Sequence, residues 1–189
     1  MDLRRNPEFY QPTGYSASAP GDRDVFVAPV VDERKPPQDE GQLPTLFLSD
    51  RDWERPVPVM VHEILRDELR DSGVFRQVLD AASPEALLVK PVLRSFEGGV
   101  QEQLYGRRSL AAVGLQVEVY GPLQDNERKL LLTQPLFERP VSSPGFKPAS
   151  PRVLLGAALQ ATMTRLVGAI DASNVGRSAV VTDADLRKQ

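Results

Sequence analysis

Cysteine is missing from the chain altogether, and histidine occurs once, at position 62. The first absence excludes disulfide scaffolds, thiol nucleophiles, Cys-rich zinc sites and iron–sulfur clusters. The second leaves His62 as the single side chain around which a Ser-His-Asp hydrolase could be built. Glycine-rich phosphate loops are missing too. Neither GxGxxG nor GxxxxGK[ST] occurs, so Gly98-Gly99 makes no phosphate cradle and dinucleotide or phosphoryl chemistry has no foothold. No uninterrupted apolar run approaches the roughly 18 residues needed to cross a bilayer. The N-terminus, Met1-Asp2-Leu3-Arg4-Arg5-Asn6-Pro7, has no apolar signal segment either. These two absences predict a cytoplasmic protein, or one whose targeting segment has been removed. A surplus of positive charge is lacking as well: 23 basic against 26 acidic residues give a net charge of -3, which argues against nucleic acid as a partner.

What is present is a chain of 189 residues, 41% apolar, enough for one domain with a real core. The 17 prolines are about 9% of the chain, nearly twice ordinary usage. Residues 1–22, punctuated by Pro7, Pro12, Gly14, Pro20 and Gly21, predict a flexible tether. Val25–Val31 reads as a strand covered on both faces, and Leu43–Ser49 as a second, with Leu46 and Leu48 on one side and Phe47 on the other. A charged loop over 34–41 joins them. Pro56-Val57-Pro58 suits a helix start, and Val57, Val61, Ile64, Leu65 and Leu69 repeat at helical spacing up to Gly73. Glu63, Arg66, Asp67, Arg70 and Asp71 make the opposite face, with Glu63–Arg66 and Asp67–Arg70 spaced to pair.

Phe75–Val78 reads as a short strand or a loop edge, and Leu87–Arg94 as a half-buried strand, with Pro91 near an edge or bulge. Glu97–Gln101 has loop composition. Ala111–Tyr120 alternates most clearly and is followed, after a hairpin-sized connection over Gly121–Glu127, by an antiparallel partner over Arg128–Glu138. A loop over 140–149 leads to Ser150-Pro151, a cap and first-turn proline. They open a helix carrying Leu155, Leu159, Thr162, Met163, Leu166 and Ile170 inward and ending near Ala172 or Ser173. Residues 174–189 read as a polar tail. The expected order is β-β-α-β-β-β-α over a single domain, 23–173. This is an α+β fold, a mainly antiparallel sheet with two amphipathic helices packed on one face.

No constellation in this chain points to catalysis. His62-Glu63 looks like the start of a zinc-protease helix, but Arg66 stands where a second histidine is required. Asp50, Asp52, Glu54, Glu63, Asp67, Glu68 and Asp71 could supply the carboxylate pair of a small acidic hydrolase, yet a solvated helix face and a turn account for them. The reading is therefore not an enzyme, with no metal and no cofactor. Aromatic side chains are the better lead, because they anchor interfaces. Phe47, Trp53 and Tyr105 are the candidate partner contacts, although Trp53 equally suits a lid over the core.

The order of segments carries a resemblance. Trp53 precedes the helix Pro-Val-Pro-Val-Met-Val-His-Glu-Ile-Leu-Arg-Asp-Glu-Leu and Gly73-Val74-Phe75, followed by Leu87-Leu88-Val89. The strands Ala111–Val119 and Lys129-Leu130-Leu131-Leu132 come next, then an Ala-rich closing helix through Ala157-Ala158-Leu159. Over about residues 24–172 this resembles the auxiliary lipoproteins of ABC-type transport systems, which include the Pqi-type lipoprotein of intermembrane lipid transport. The resemblance implies a periplasmic protein anchored by acyl chains on an N-terminal cysteine. The lipobox cysteine and its signal peptide are not in the sequence, so the implied anchor requires them to have preceded Met1. It further implies transporter subunits, a permease or a substrate-binding component, as partners. Self-association fits the same kind of surface. A lipoprotein regulator of cell-envelope synthesis or assembly is the alternative, and the acidic hydrolase comes third.

Overall fold

The computed structural model describes residues 9–36, 45–145 and 148–178. Within them the chain runs β1 (Asp24–Val27), β2 (Val31–Asp32), β3 (Thr45–Phe47), α1 (Val57–Ser72), β4 (Gln77–Leu79), β5 (Leu87–Gln103), β6 (Gly106–Gln124), β7 (Glu127–Glu138) and α2 (Pro151–Ser173). The result is an α+β fold built on one open, mostly antiparallel sheet, as the alternating sequence predicts.

β5 and β6 form its spine, a hairpin paired from Leu88↔Tyr120 to Gln103↔Gly106. Cross-strand pairs Val89↔Val119, Leu93↔Leu115 and Phe96↔Val113 put large side chains on one face, and all six are buried. The other face carries polar groups such as Lys90, Glu118 and Gln116 among its pairs. β7 covers the far edge of β6 and closes through Asp125-Asn126, both at positive φ (49° and 65°), a turn whose twist suits a two-residue hairpin. The near edge of β5 is covered by three short pieces in succession. β1 and β2 run parallel to it at Leu87–Val89 and Val92–Leu93, and β3 runs antiparallel at Gly99–Gln101. β4 lies parallel outside β1.

Several expectations change here. The strand expected over Val25–Val31 is two strands. Its burial alternates, with Val25 and Val27 inside and Phe26 only partly covered, because helices cover one face of the sheet. Leu43 lies outside the described residues, among which the second strand runs Thr45–Phe47 and stops before Leu48 and Ser49. Glu97–Gln101 is strand and not loop. Its glycines mark close approach: a Cβ on Gly98 would meet Leu48 at 3.1 Å and Pro151, and one on Gly99 would meet the Leu46 carbonyl at 3.0 Å.

α1 forms where the stripe predicts and stops at Gly73, which takes the left-handed conformation with φ 71°. Asp67 pairs with Arg70 at 3.1 Å as its spacing suggests, whereas Glu63 pairs with Arg55 at 2.7 Å and Arg66 reaches Asp80. α2 begins at Ser150, whose hydroxyl accepts the Arg152 amide, and buries every expected inward residue. At 23 residues α2 is also long and apolar enough to cross a membrane, contrary to the expectation from uninterrupted runs. Half of its most apolar stretch is buried inside the fold, which a core helix also shows.

Both helices start level with the middle of β5 and end at its beginning. Pro151 touches Gly98 and Trp53 meets Phe96, while Gly73 and Gly176 close on the Gly21–Arg23 turn beside β1. Beyond Gly98, where α2 begins, β5 runs on to Gln103 and the hairpin tip.

Candidate functional site

Of the three aromatic candidates, Trp53 is buried, only 8% exposed. Its ring meets Phe96 edge-on at 5.6 Å, so the lid reading holds for its side chain. Phe47 is partly covered and leans over Gly99. Tyr105 is 89% exposed at the tip of the β5–β6 hairpin, beside Leu104 at 87%. The structure therefore does not bring the three together.

What it does form is a cleft of about 420 Å³ against the buried Trp53. Leu48, Trp53, Phe96 and Leu155 make its floor, and Arg34, Lys35, Ser49 and Glu97 stand at its rim. The Arg34 guanidinium ties the end of β2 to the turn before α1, donating to Asp32 Oδ1 at 2.8 Å and to Asp50 Oδ1 at 2.9 Å. These two carboxylates raise the Arg34 pKa further, so the clamp stays charged. The neighbouring Asp52 lies below the usual carboxylate range because the Ser49 amide donates to it. A second hollow of about 410 Å³ shares Arg34 and Trp53 and continues along Pro56-Val57-Pro58. An apolar floor inside a charged rim is suited to seating a side chain of a docking partner.

The most constructed feature is one the sequence reading missed. Residues 9–21, expected as part of a flexible tether, lie as a strap along α1 and α2 (residues 1–8 are outside the described residues). Two buried carboxylates hold it, one from each helix. Glu68, 5% exposed on α1, accepts hydrogen bonds from the Tyr10 hydroxyl at 2.5 Å and from the Thr13 amide (3.0 Å) and hydroxyl (2.5 Å). Asp171, 7% exposed near the end of α2, accepts from the Tyr15 hydroxyl at 2.9 Å, the Ser18 amide at 2.9 Å and the Ser18 hydroxyl at 3.1 Å, and pairs with Arg177. The Ser18 amide, foremost, holds the Asp171 carboxyl below its ordinary range. Burial and the Glu68 partner push the Tyr10 phenol up, so it stays a donor. Backbone bonds Ala17 N–H to Ser72 O and Gly21 N–H to Gly73 O finish the strap.

A signal for this existed. Glu68 falls on the apolar stripe between Leu65 and Leu69, where a charge requires a buried partner. Gly156 sits at a core position of α2 because a Cβ there would stand 1.1 Å from the Phe9 carbonyl oxygen. The first residues of the expected polar tail belong to the same construction: Asn174 caps α2 at φ 57° and Val175 is buried. Residues 179–189 lie outside the described residues.

His62 donates from Nε2 to the Val27 carbonyl at 3.1 Å, joining α1 to β1. Of the acidic group, Asp50, Asp52, Glu63 and Asp67 are in ion pairs with Arg34, Arg152, Arg55 and Arg70. Among the described residues, no three His, Asp or Glu side chains converge to hold a metal ion.

No family model matches the chain, and no curated protein matches it. Solved structures do. Protein XCC0632 of Xanthomonas campestris, described as a DUF330 protein, superposes with a TM-score of 0.56 at 15% identity, covering 84% of this chain and 91% of its own. The hypothetical protein CT253 of Chlamydia trachomatis gives 0.52 at 11% identity, covering 82% and 98%. At such identities the likeness is one of fold.

Proposed function

We propose that this chain is a non-enzymatic, periplasmic auxiliary subunit of the lipoprotein type, serving an ABC-type intermembrane lipid transport system by protein–protein docking. The observation that carries this reading is the strap. A domain held at a membrane through its N-terminus has to pass that load into its core. Here the N-terminal segment is fastened to both helices by buried charge-assisted hydrogen bonds, roughly twice as strong as neutral ones. The segment order shared with the auxiliary lipoproteins supports the reading. Docking falls to the cleft over Trp53, where a buried aromatic floor and a charged rim give an anchor and an orientation.

The test is purification of the tagged full-length precursor from membranes. Permease, ATPase or substrate-binding subunits co-purify, and Lys35→Glu at the cleft rim reduces their recovery several-fold without changing the melting temperature. Recovery from the cytosol, free of membrane and of transport subunits, contradicts the reading.

A further inference from the structure

The β5–β6 hairpin presents its two most exposed large side chains, Leu104 and Tyr105, at its tip, 87% and 89% exposed. Neither packs into the core, although large apolar groups standing together in water are a cost unless they have a use. Just behind them the hairpin is polar. Arg107 pairs with Glu102 at 2.9 Å, and the Arg108 Nε donates to Gln101 at 2.8 Å.

The strap fixes which way this tip faces. Its contacts advance along α2 in step with its own sequence. The Phe9 carbonyl lies at Gly156, Gln160 donates to Pro12, and Tyr15 reaches Asp171. Phe9, where the described strap begins, therefore lies near the start of α2, the end from which β5 runs on to the hairpin tip. Phe9 sits about 8 Å along the helix from Pro151, at 1.5 Å per residue. Pro151 touches Gly98, and the six strand residues from there to Leu104 add about 20 Å. The start of the described strap and the hairpin tip thus lie toward the same end of the domain.

We infer that the Leu104-Tyr105 tip is a membrane-interface contact, entering the boundary between headgroups and acyl chains of the bilayer to which the N-terminus leads. Leucine supplies apolar depth, and tyrosine supplies an amphipathic ring that belongs at headgroup level. Arg107 and Arg108 follow at the depth of the phosphates. A lipid surface fits better than a protein. Two tip residues cover far less than the roughly 1,200 Å² of a specific protein interface, whereas a bilayer needs no shape complementarity. The inference rests on the membrane half of the proposed function and not on transport.

The absence of cysteine makes the test clean, because one introduced thiol is a unique label site. Leu104→Cys, carrying an environment-sensitive fluorophore, is tethered by an N-terminal His-tag to phosphatidylcholine vesicles bearing nickel-chelating lipid. Its emission should shift to the blue and rise several-fold, and brominated lipid should quench it. A label at Glu85→Cys, near the opposite end of β5, should not respond. With the label moved to Gln103→Cys, Leu104→Ser/Tyr105→Ser should abolish the response. An unchanged label at position 104 on protein shown by flotation to be vesicle-bound overturns the inference. A response that appears only when envelope proteins are added overturns it as well, assigning the tip to a protein. No transporter is present, so these outcomes are independent of the co-purification result.

Discussion

Glu68 and Asp171 are acidic residues whose environments decide their roles. On an exposed helix face each would contribute little, but buried under the strap each accepts three or more hydrogen bonds. Replacing a buried acceptor of this kind leaves donors unsatisfied, so Glu68→Ala and Asp171→Ala should each cost about 2 kcal/mol, read by chemical denaturation. The pH dependence follows from Asp171. Its folded-state pKa is depressed, so its contribution is fully present above the ordinary carboxylate value near 3.9 and is lost as pH falls through the depressed one. Limited proteolysis within the strap should accelerate below about pH 4, and Asp171→Asn should remove that part of the acid response. Gly156→Ala separates two opposing effects. In a bare helix it gains about 1 kcal/mol of propensity. Here the new methyl collides with the Phe9 backbone, which cannot rotate away, so the strap must lift. Faster strap cleavage and lower stability are expected; a stabilised protein would mean that Phe9 does not lie there.

Among the elements, α1 and the β6–β7 hairpin were legible because their evidence is local. Val57 to Leu69 repeat at 3.6, Gly73 supplies the left-handed stop, and Val113 to Val119 alternate. The long reach of β5 and β6 was hidden by composition. Gly98 and Gly99 look like a turn, and only the approach of Pro151, Leu48 and the β3 backbone explains them as strand. Core and tip should consequently respond differently. Leu115→Ala and Leu159→Ala, both fully buried, should cost about 2–5 kcal/mol by equilibrium denaturation. Leu104→Ser/Tyr105→Ser should stay within about 0.5 kcal/mol of the parent, since both tip side chains are almost fully exposed.

For the whole molecule, strap, helices and sheet form successive layers. A chain beginning at Asp22 loses Tyr10 from the core and leaves the Glu68 and Asp171 carboxylates without their strap donors. It should melt at a clearly lower temperature than either single carboxylate variant and bind a dye for exposed apolar surface, which circular dichroism and fluorescence can check. Trp53, buried against Phe96, should keep blue-shifted, poorly quenched emission in that truncation if the sheet-and-helix layers stand without the strap. The candidate site divides the same way. Tyr105 was visible as an aromatic among turn residues, whereas the cleft joins residues from β2, the turn before α1, β5 and α2, a convergence with no sequence spacing.

The sequence by itself determined the fold class, the two helices with their inward faces, and the β6–β7 pairing. Periodicity, caps and turn residues act over a few neighbours, and these residues carry all of those signals. Only the tertiary structure decided that residues 9–21 are a strap and not a leash. It also decided that three short strands share one edge of β5, that Trp53 closes the core, and that Leu104 and Tyr105 stand free. Each of these depends on which distant groups arrive to satisfy a buried carboxylate, a backbone edge or an apolar ring. A segment rich in proline and glycine looks the same in sequence whether or not such partners exist.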